Sequence, residues 1–280
     1  MPRRRKVAVP SSGFKANESH RARESGDRQF ITALARGLAI LRCFRGTDRF
    51  LSNQEIARRT GLPKPTVTRL TYTLTRTGFL AYADAREAYS LAVGALAVGH
   101  AYIAALNVRK VAQPLMQAFA EQARATVALA ENDGGRMVVV EICHGNENYR
   151  MRLGVGERVP HHKTALGRAY LAALSEERRT QFISAVGVGL PAVELERLRA
   201  DLTGALRQYD AHGYVASYGK WDSETFAAGA PLVSSDGTSV LSLSCSGPLF
   251  DMTQKRLIQE IAPGLCALRD AIFSATQGVF

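Results

Sequence analysis

The chain has 280 residues, 46% of them hydrophobic and 22% charged, and a net charge of +11. That length favours two domains of ordinary size, with one large domain the alternative, and the composition is that of a soluble globular protein with enough apolar residues for real cores. No apolar run reaches the roughly 20 residues that span a bilayer, and no apolar signal segment follows the basic start MPRRRKVAVPSSGFK, so a cytoplasmic protein is expected, with no membrane partner. Glu18, Glu24 and Asp27 disfavour a mitochondrial transit peptide. Cys43, Cys143, Cys245 and Cys266 are scattered through apolar runs without a CxxC, which reads as core filler in a reducing compartment.

The charge is divided unevenly. Residues 1–30 carry eight Lys/Arg against three Asp/Glu, residues 31–92 ten against four, and residues 93–280 eighteen against eighteen. All the excess lies in the first third, which points to a nucleic-acid or other anionic partner for that part alone.

Residues 1–28 read as a disordered basic arm, either contacting DNA or simply a loose terminus. From Phe30, the spacing of Ile31, Leu34, Leu38, Leu41 and Phe44 predicts one inward face of a helix that stops at Gly46 and Asp48. Ser52 followed by Glu55 forms a capping box opening a short helix that ends at Gly61. Pro65 opens a third helix, with Val67, Leu70 and Leu74 inward and Thr66, Thr68, Arg69, Tyr72 and Thr73 outward. The period then changes to two. Residues 79–82 and 88–91 read as a hairpin, or wing, around Asp84–Glu87, and residues 94–108 as an apolar linker helix.

In the remainder, helices are expected over 111–125, 164–174, 176–185, 193–212 and 249–273. Strands are expected over 126–131, 137–142, 149–153, 214–218, 226–233 and 240–246, with turns at Asp133-Gly134-Gly135 and Asp236-Gly237. The lack of regular βαβ alternation favours an antiparallel α+β sheet.

Residues 53–74 thus form a helix-turn-helix, whose second helix fits the major groove with its N-terminal residues toward the base edges. Lys64, Thr66, Thr68, Arg69 and Tyr72 are the candidate readers; Arg69 could fork onto guanine or onto phosphate. Arg58 and Arg59 on the supporting helix and Arg86 on the wing suit phosphate. For Arg58 or Arg59 alone, a plain solvated helix face is an equal alternative.

The run Ala35-Arg36-Gly37-Leu38-Ala39-Ile40-Leu41, the helix-turn-helix and the wing resemble the IclR family of bacterial transcriptional regulators. So do Gly154-Val155-Gly156-Glu157-Arg158-Val159-Pro160, residues 164–172 (TALGRAYLA) and Ser244-Cys245-Ser246-Gly247-Pro248, in the expected order over about residues 30–275. The resemblance implies a winged helix-turn-helix over 29–93, the linker helix over 94–108 and a GAF-like, antiparallel-sheet effector-binding domain over 109–280. It also implies double-stranded operator DNA and a small organic effector, often a carboxylic or aromatic acid, as partners. A homodimer or dimer of dimers is expected because one helix-turn-helix reads a short half-site, with the linker helix as the candidate seam; no cofactor is expected.

For the effector, the candidates are His162 at the pocket rim, Thr164 and Ala165 at a helix N-terminus, Ser217, Trp221 and Glu224 on a covering segment, and Ser244 and Ser246 on one strand face. Ser242 shares that face. Each of the serines could instead face solvent, and Trp221 could fill core. The chain departs from the commoner family pattern after Trp221: an acidic run ending in Cys-Ile-Ala-Ala-Pro is replaced by residues 222–231, DSETFAAGAP.

His161-His162, read as strand neighbours on opposite faces, lack the further ligands a metal site needs. No GxSxG, Walker A or GxGxxG run occurs, and the alternating Tyr149-Arg150-Met151-Arg152 suits an exposed strand better than a substrate clamp. A non-enzyme is expected; the alternatives are an enzyme with a basic nucleic-acid-binding tail and a basic adaptor that binds nucleic acid without sequence choice.

Overall fold

The computed structural model describes residues 29–133, 136–146, 153–187 and 191–280. It divides into two compact units, one ending at Ala105 and one running from Leu106 to Phe280. The basic arm, residues 134 and 135 of the expected turn and residues 149–152 of the expected 149–153 strand lie outside the described residues.

The first unit begins with α1 (Thr32–Arg42). Only part of the apolar stripe expected to face inward does so: Leu41 and Phe44 pack on the core beside Ile40, whereas Ile31, Leu34 and Leu38 are 65%, 60% and 49% exposed. The core of this unit meets the C-terminal half of α1 and leaves the first turns of the stripe uncovered. β1 (Leu51–Ser52) leads into α2 (Asn53–Thr60), where the Ser52 hydroxyl accepts from the Glu55 N–H at 3.2 Å. This is half of the expected capping box, because the Glu55 carboxylate turns to Arg58 and Arg59.

Gly61, at φ 69°, supplies the left-handed residue that ends α2. α3 (Lys64–Arg76) follows, and Ile40, Leu51, Ile56, Leu62, Val67, Leu80 and Tyr89 close the core. β2 (Leu80–Ala83), a 3₁₀ turn over Asp84–Arg86 and β3 (Ala88–Leu91) form the wing, with Leu80 opposite Leu91 and Tyr82 opposite Tyr89. β1 joins its other edge, giving the order β1-β3-β2. α4 (Val93–Ala105) buries none of its residues.

The second unit opens with α5 (Asn107–Ala123), four residues earlier than expected. Val108, Ala112, Met116 and Ala120 are buried at four-residue steps, so one face carries the helix back to Asn107. The sheet holds β4 (Thr126–Asn132), β5 (Met137–His144), β6 (Arg158–Val159), β7 (Val215–Tyr218), β8 (Thr225–Val233) and β9 (Val240–Pro248). Every pairing is antiparallel, in the order β6-β5-β4-β9-β8-β7. The two-residue β6 is too short to show a period and was not foreseen.

Between β6 and β7 come α6 (Ala165–Ala173), α7 (Glu176–Gly187) and α8 (Ala192–His212). After β9, α9 (Gln254–Arg256) runs through a π-helical turn at Leu257–Ile261 into α10 (Ala262–Thr276). α6 packs on β8 and β9, while α10 packs on α5 and β8. The α+β class and the antiparallel sheet with helices are as expected.

His161 and His162 do not lie in a strand. They stand in the turn before α6, where His161 is buried, 3.0 Å from Asn132 Oδ1 and in ring contact with Tyr170 and Phe182. His162 is half-buried. The surface place expected for one of the pair is thus wrong for His161, because the turn aims its ring into the apolar core.

Candidate functional site

α3 presents the outward residues foreseen for it. Lys64, Thr68, Arg69, Tyr72 and Thr73 are exposed, and Thr66 is half-buried. Lys64, Thr68 and Tyr72 follow at four-residue steps and so share a side, with Arg69 next to them. The angle between α2 and α3 is set partly by Asn53, whose amide donates to the Thr68 hydroxyl and accepts from the Thr71 hydroxyl, both at 3.4 Å. The one sequence signal for this link is Thr71, a polar residue within the helix that is fully buried.

The two arginines of α2 part company. Arg58 is exposed and grips the Glu55 carboxylate at 2.6 and 2.8 Å. Arg59 is largely covered; it pairs with Asp48, reaches Glu55 at 2.7 Å and donates to the Cys43 carbonyl at 3.1 Å. Hydrogen bonds from Arg58 and then Arg59 pull the Glu55 carboxyl down to about 2, and Arg59 likewise lowers Asp48. Arg59 therefore braces α2 against the end of α1. Arg86, at the wing tip, lies 4.9 Å from the centre of the Phe50 ring.

In the second unit a cleft opens at the N-terminus of α6, with ≈ 420 Å³ of space partly open to solvent. It gathers Thr164, Ala165, Ser217, Trp221, Ser244 and Ser246 from the expected set. It does not gather His162, or Glu224, which is exposed. Lys163, Asp222, Thr225 and Ala227 also line it and were not foreseen.

The local hydrogen bonds assign these groups different tasks. Thr164 caps α6: its hydroxyl accepts from the Gly167 N–H at 3.1 Å and donates to the Pro160 carbonyl at 2.8 Å. Ser217 donates to the Lys163 carbonyl, and Ser246 to the Thr126 carbonyl, both at 3.4 Å. Ser244 stands opposite Ala128 and Gly229 on the sheet face beneath α6. Asp222 accepts from the Thr225 hydroxyl and the Glu224 N–H, each at 3.1 Å, and so shapes the covering segment.

Two features of the cleft favour an anion, the N-terminal N–H groups of α6 and the Lys163 ammonium, and the Asp222 carboxylate on the same lining is turned to Thr225 and the Glu224 N–H. Arg168 donates to the Ala216 carbonyl at 2.8 Å, and burial lowers its pKa. Burial pushes the Cys43 and Cys143 thiols up to about 11 and Cys245 to about 12, so they are no ready nucleophiles. Among the described residues no His/Cys/Asp/Glu group could hold a metal ion, and no helix is long and apolar enough to cross a membrane.

A helix-turn-helix with a wing, joined in one chain to a separate sheet unit bearing an anion-favouring cleft, defines a DNA-binding transcriptional regulator. The IclR helix-turn-helix domain matches residues 33–84, and the bacterial transcriptional regulator IclR C-terminal domain matches residues 100–272. The chain belongs to the IclR family. It is 30% identical to the HTH-type transcriptional regulator KipR of Bacillus subtilis over 213 residues, 74% of this chain and 82% of that one. An IclR family transcriptional regulator from Brucella abortus, known as a crystal structure, is 41% identical with a TM-score of 0.81, covering 89% of this chain and 94% of that one. An IclR homologue from Microbacterium hydrocarbonoxydans, crystallised with 4-hydroxybenzoate, shares the fold at 23% identity and a TM-score of 0.67, over 88% of this chain and all of that one.

Proposed function

We propose that the chain is a sequence-specific regulator that reads operator DNA with α3 and answers to a small organic acid held in the α6 cleft. The observation that carries this reading is the exposed face of Lys64, Thr68, Arg69 and Tyr72 on the second helix of a helix-turn-helix. A helix N-terminus and Lys163 favour a carboxylate in the cleft, while Ser217, Ser244 and the Trp221 ring offer contacts to its body. The 4-hydroxybenzoate bound by the Microbacterium relative belongs to this ligand class.

The working form is a homodimer or a dimer of dimers, since one helix-turn-helix reads a short half-site and two copies read a longer one. Val93, Leu96, Val98 and Tyr102 on α4, and Ile31, Leu34 and Leu38 on α1, are exposed apolar side chains for a second copy to cover. The chain catalyses no reaction in this reading and works in the cytoplasm, where its DNA is.

Thermal-shift screening of small carboxylic acids tests the sensing half. At least one acid should raise the melting temperature, and the corresponding neutral amide should not. A broad panel in which no acid stabilises the chain would contradict it.

A further inference from the structure

A second cavity, with ≈ 610 Å³ of space partly open to solvent, lies in the same unit at the far end of the sheet. It is more spacious than the α6 cleft. Its lining combines the ends of β4 and β9 with Leu106, Tyr170, Arg178 and Phe280. It shares no residue with the first cleft, and α6 bridges the two, contributing Thr164–Leu166's end to one and Tyr170 to the other.

The walls of this cavity are built. In the β8–β9 turn the Asp236 carboxylate accepts from the Ser234 hydroxyl at 2.6 Å and the Thr238 N–H at 3.0 Å. The Ser235 N–H donates to the Gly278 carbonyl at 2.8 Å, which holds the chain so that Phe280 lines the space. Tyr170 is buried, its ring tilted against that of His161 with centres 5.5 Å apart. Burial raises its pKa, so its phenol stays neutral. Arg178 is exposed, and its guanidinium makes no ion pair among the described residues. Glu131 lines the same cavity.

We propose that this cavity is a second small-molecule site, for a small carboxylic acid with an apolar body. Arg178 takes the carboxylate in a charge-assisted pair. Leu106, Leu241 and Phe280 pack the body. Leu106 is the N-cap residue of α5 and directly follows the last residue of α4 in the chain. An occupant therefore touches the residue through which the linker helix enters this unit. The proposal does not depend on the α6 cleft being a ligand site.

The test uses 4-hydroxybenzoate as probe and tryptophan fluorescence as readout. Trp221 is the chain's one tryptophan and lines the α6 cleft, so it reports the first site alone. A full-length variant carrying Trp221→Phe and Phe280→Trp reports the second. Its emission should shift saturably with the acid, and adding Arg178→Gln should weaken that curve roughly tenfold, as loss of one charge-assisted pair implies. Arg178→Gln in the chain that keeps Trp221 should leave the Trp221 curve in place. An introduced tryptophan that does not respond, or responds with the same affinity after Arg178→Gln, would overturn the proposal. Calorimetry without any tryptophan change gives an independent check: identical isotherms before and after Arg178→Gln would overturn it as well.

Discussion

Gly229 of β8 lies directly under the carbonyl of Ala165. A Cβ on Gly229 would stand 2.3 Å from that oxygen, closer than any real contact. The missing side chain is what lets the N-terminus of α6 settle on the sheet and form one wall of the cleft. Gly229→Ala must push that helix end away, at a cost of about 1–3 kcal/mol, the usual penalty for overpacking. Denaturant unfolding should show this loss together with weakened acid binding in the cleft. Unchanged values for both would refute the role given to this contact.

Arg58 and Arg59 are neighbours with opposite expected phenotypes. Arg59→Ala removes the brace between α2 and the end of α1, leaving Asp48 and Glu55 without their shared cation. It should lower the melting temperature and weaken DNA binding as a consequence. Arg58→Ala should leave melting nearly unchanged and reduce the salt slope of DNA binding by about one, the signature of a lost phosphate contact. Thermal melts and salt titrations of the two variants decide it, and the reverse pattern would be contradictory.

Acid stability follows from His162. Burial and then Lys163 hold its pKa below the ordinary 6.5. The unfolded chain thus binds the proton more readily, so the contribution of this residue is present above about 6.5 and is lost as pH falls through the depressed folded value. His162→Gln should flatten the stability–pH curve in that window. A wild-type curve already flat below pH 6.5 would rule this out. A second loss belongs lower down: Glu55, at about 2 in the folded chain against 4.5 ordinarily, supports stability above 4.5 and ceases to do so as pH falls toward 2.

The apolar surface of α4 predicts association. The native chain should scatter light as a dimer or tetramer, and Leu96→Asp should shift it toward monomer and weaken operator binding. A native monomer that still binds its operator would refute the dimeric reading.

The reading unit was largely legible in the sequence because its signals are local. A cap at Ser52, a left-handed Gly61, Pro65 near a helix start and the change of period at Gly78 each act within a few residues. The exposure of Ile31, Leu34 and Leu38 was not legible, since a period shows which residues share a face but not whether anything covers it. The cleft was half legible. Alternation put Ser244 and Ser246 on one face, and a threonine before an apolar run marked the start of α6. Lys163, Asp222 and the buried Arg168 depend on how residues 160–168 fold over β7 and β8, a contact between segments some fifty residues apart. His161 deceived for a related reason: only the turn before α6 decides which of two adjacent histidines enters the core. The second cavity had no sequence signal, because β4, β9, α6 and Phe280 meet only in three dimensions.

The most direct measurement is an electrophoretic titration of the full chain against the DNA upstream of its own reading frame, at fixed salt and with excess random competitor. The complex should survive the competitor, and Arg69→Ala, folded as judged by its melt, should lose about 1–3 kcal/mol of specific affinity. A complex that random DNA competes away equally well, or an Arg69→Ala variant that binds as tightly as the native chain, would contradict reading by α3.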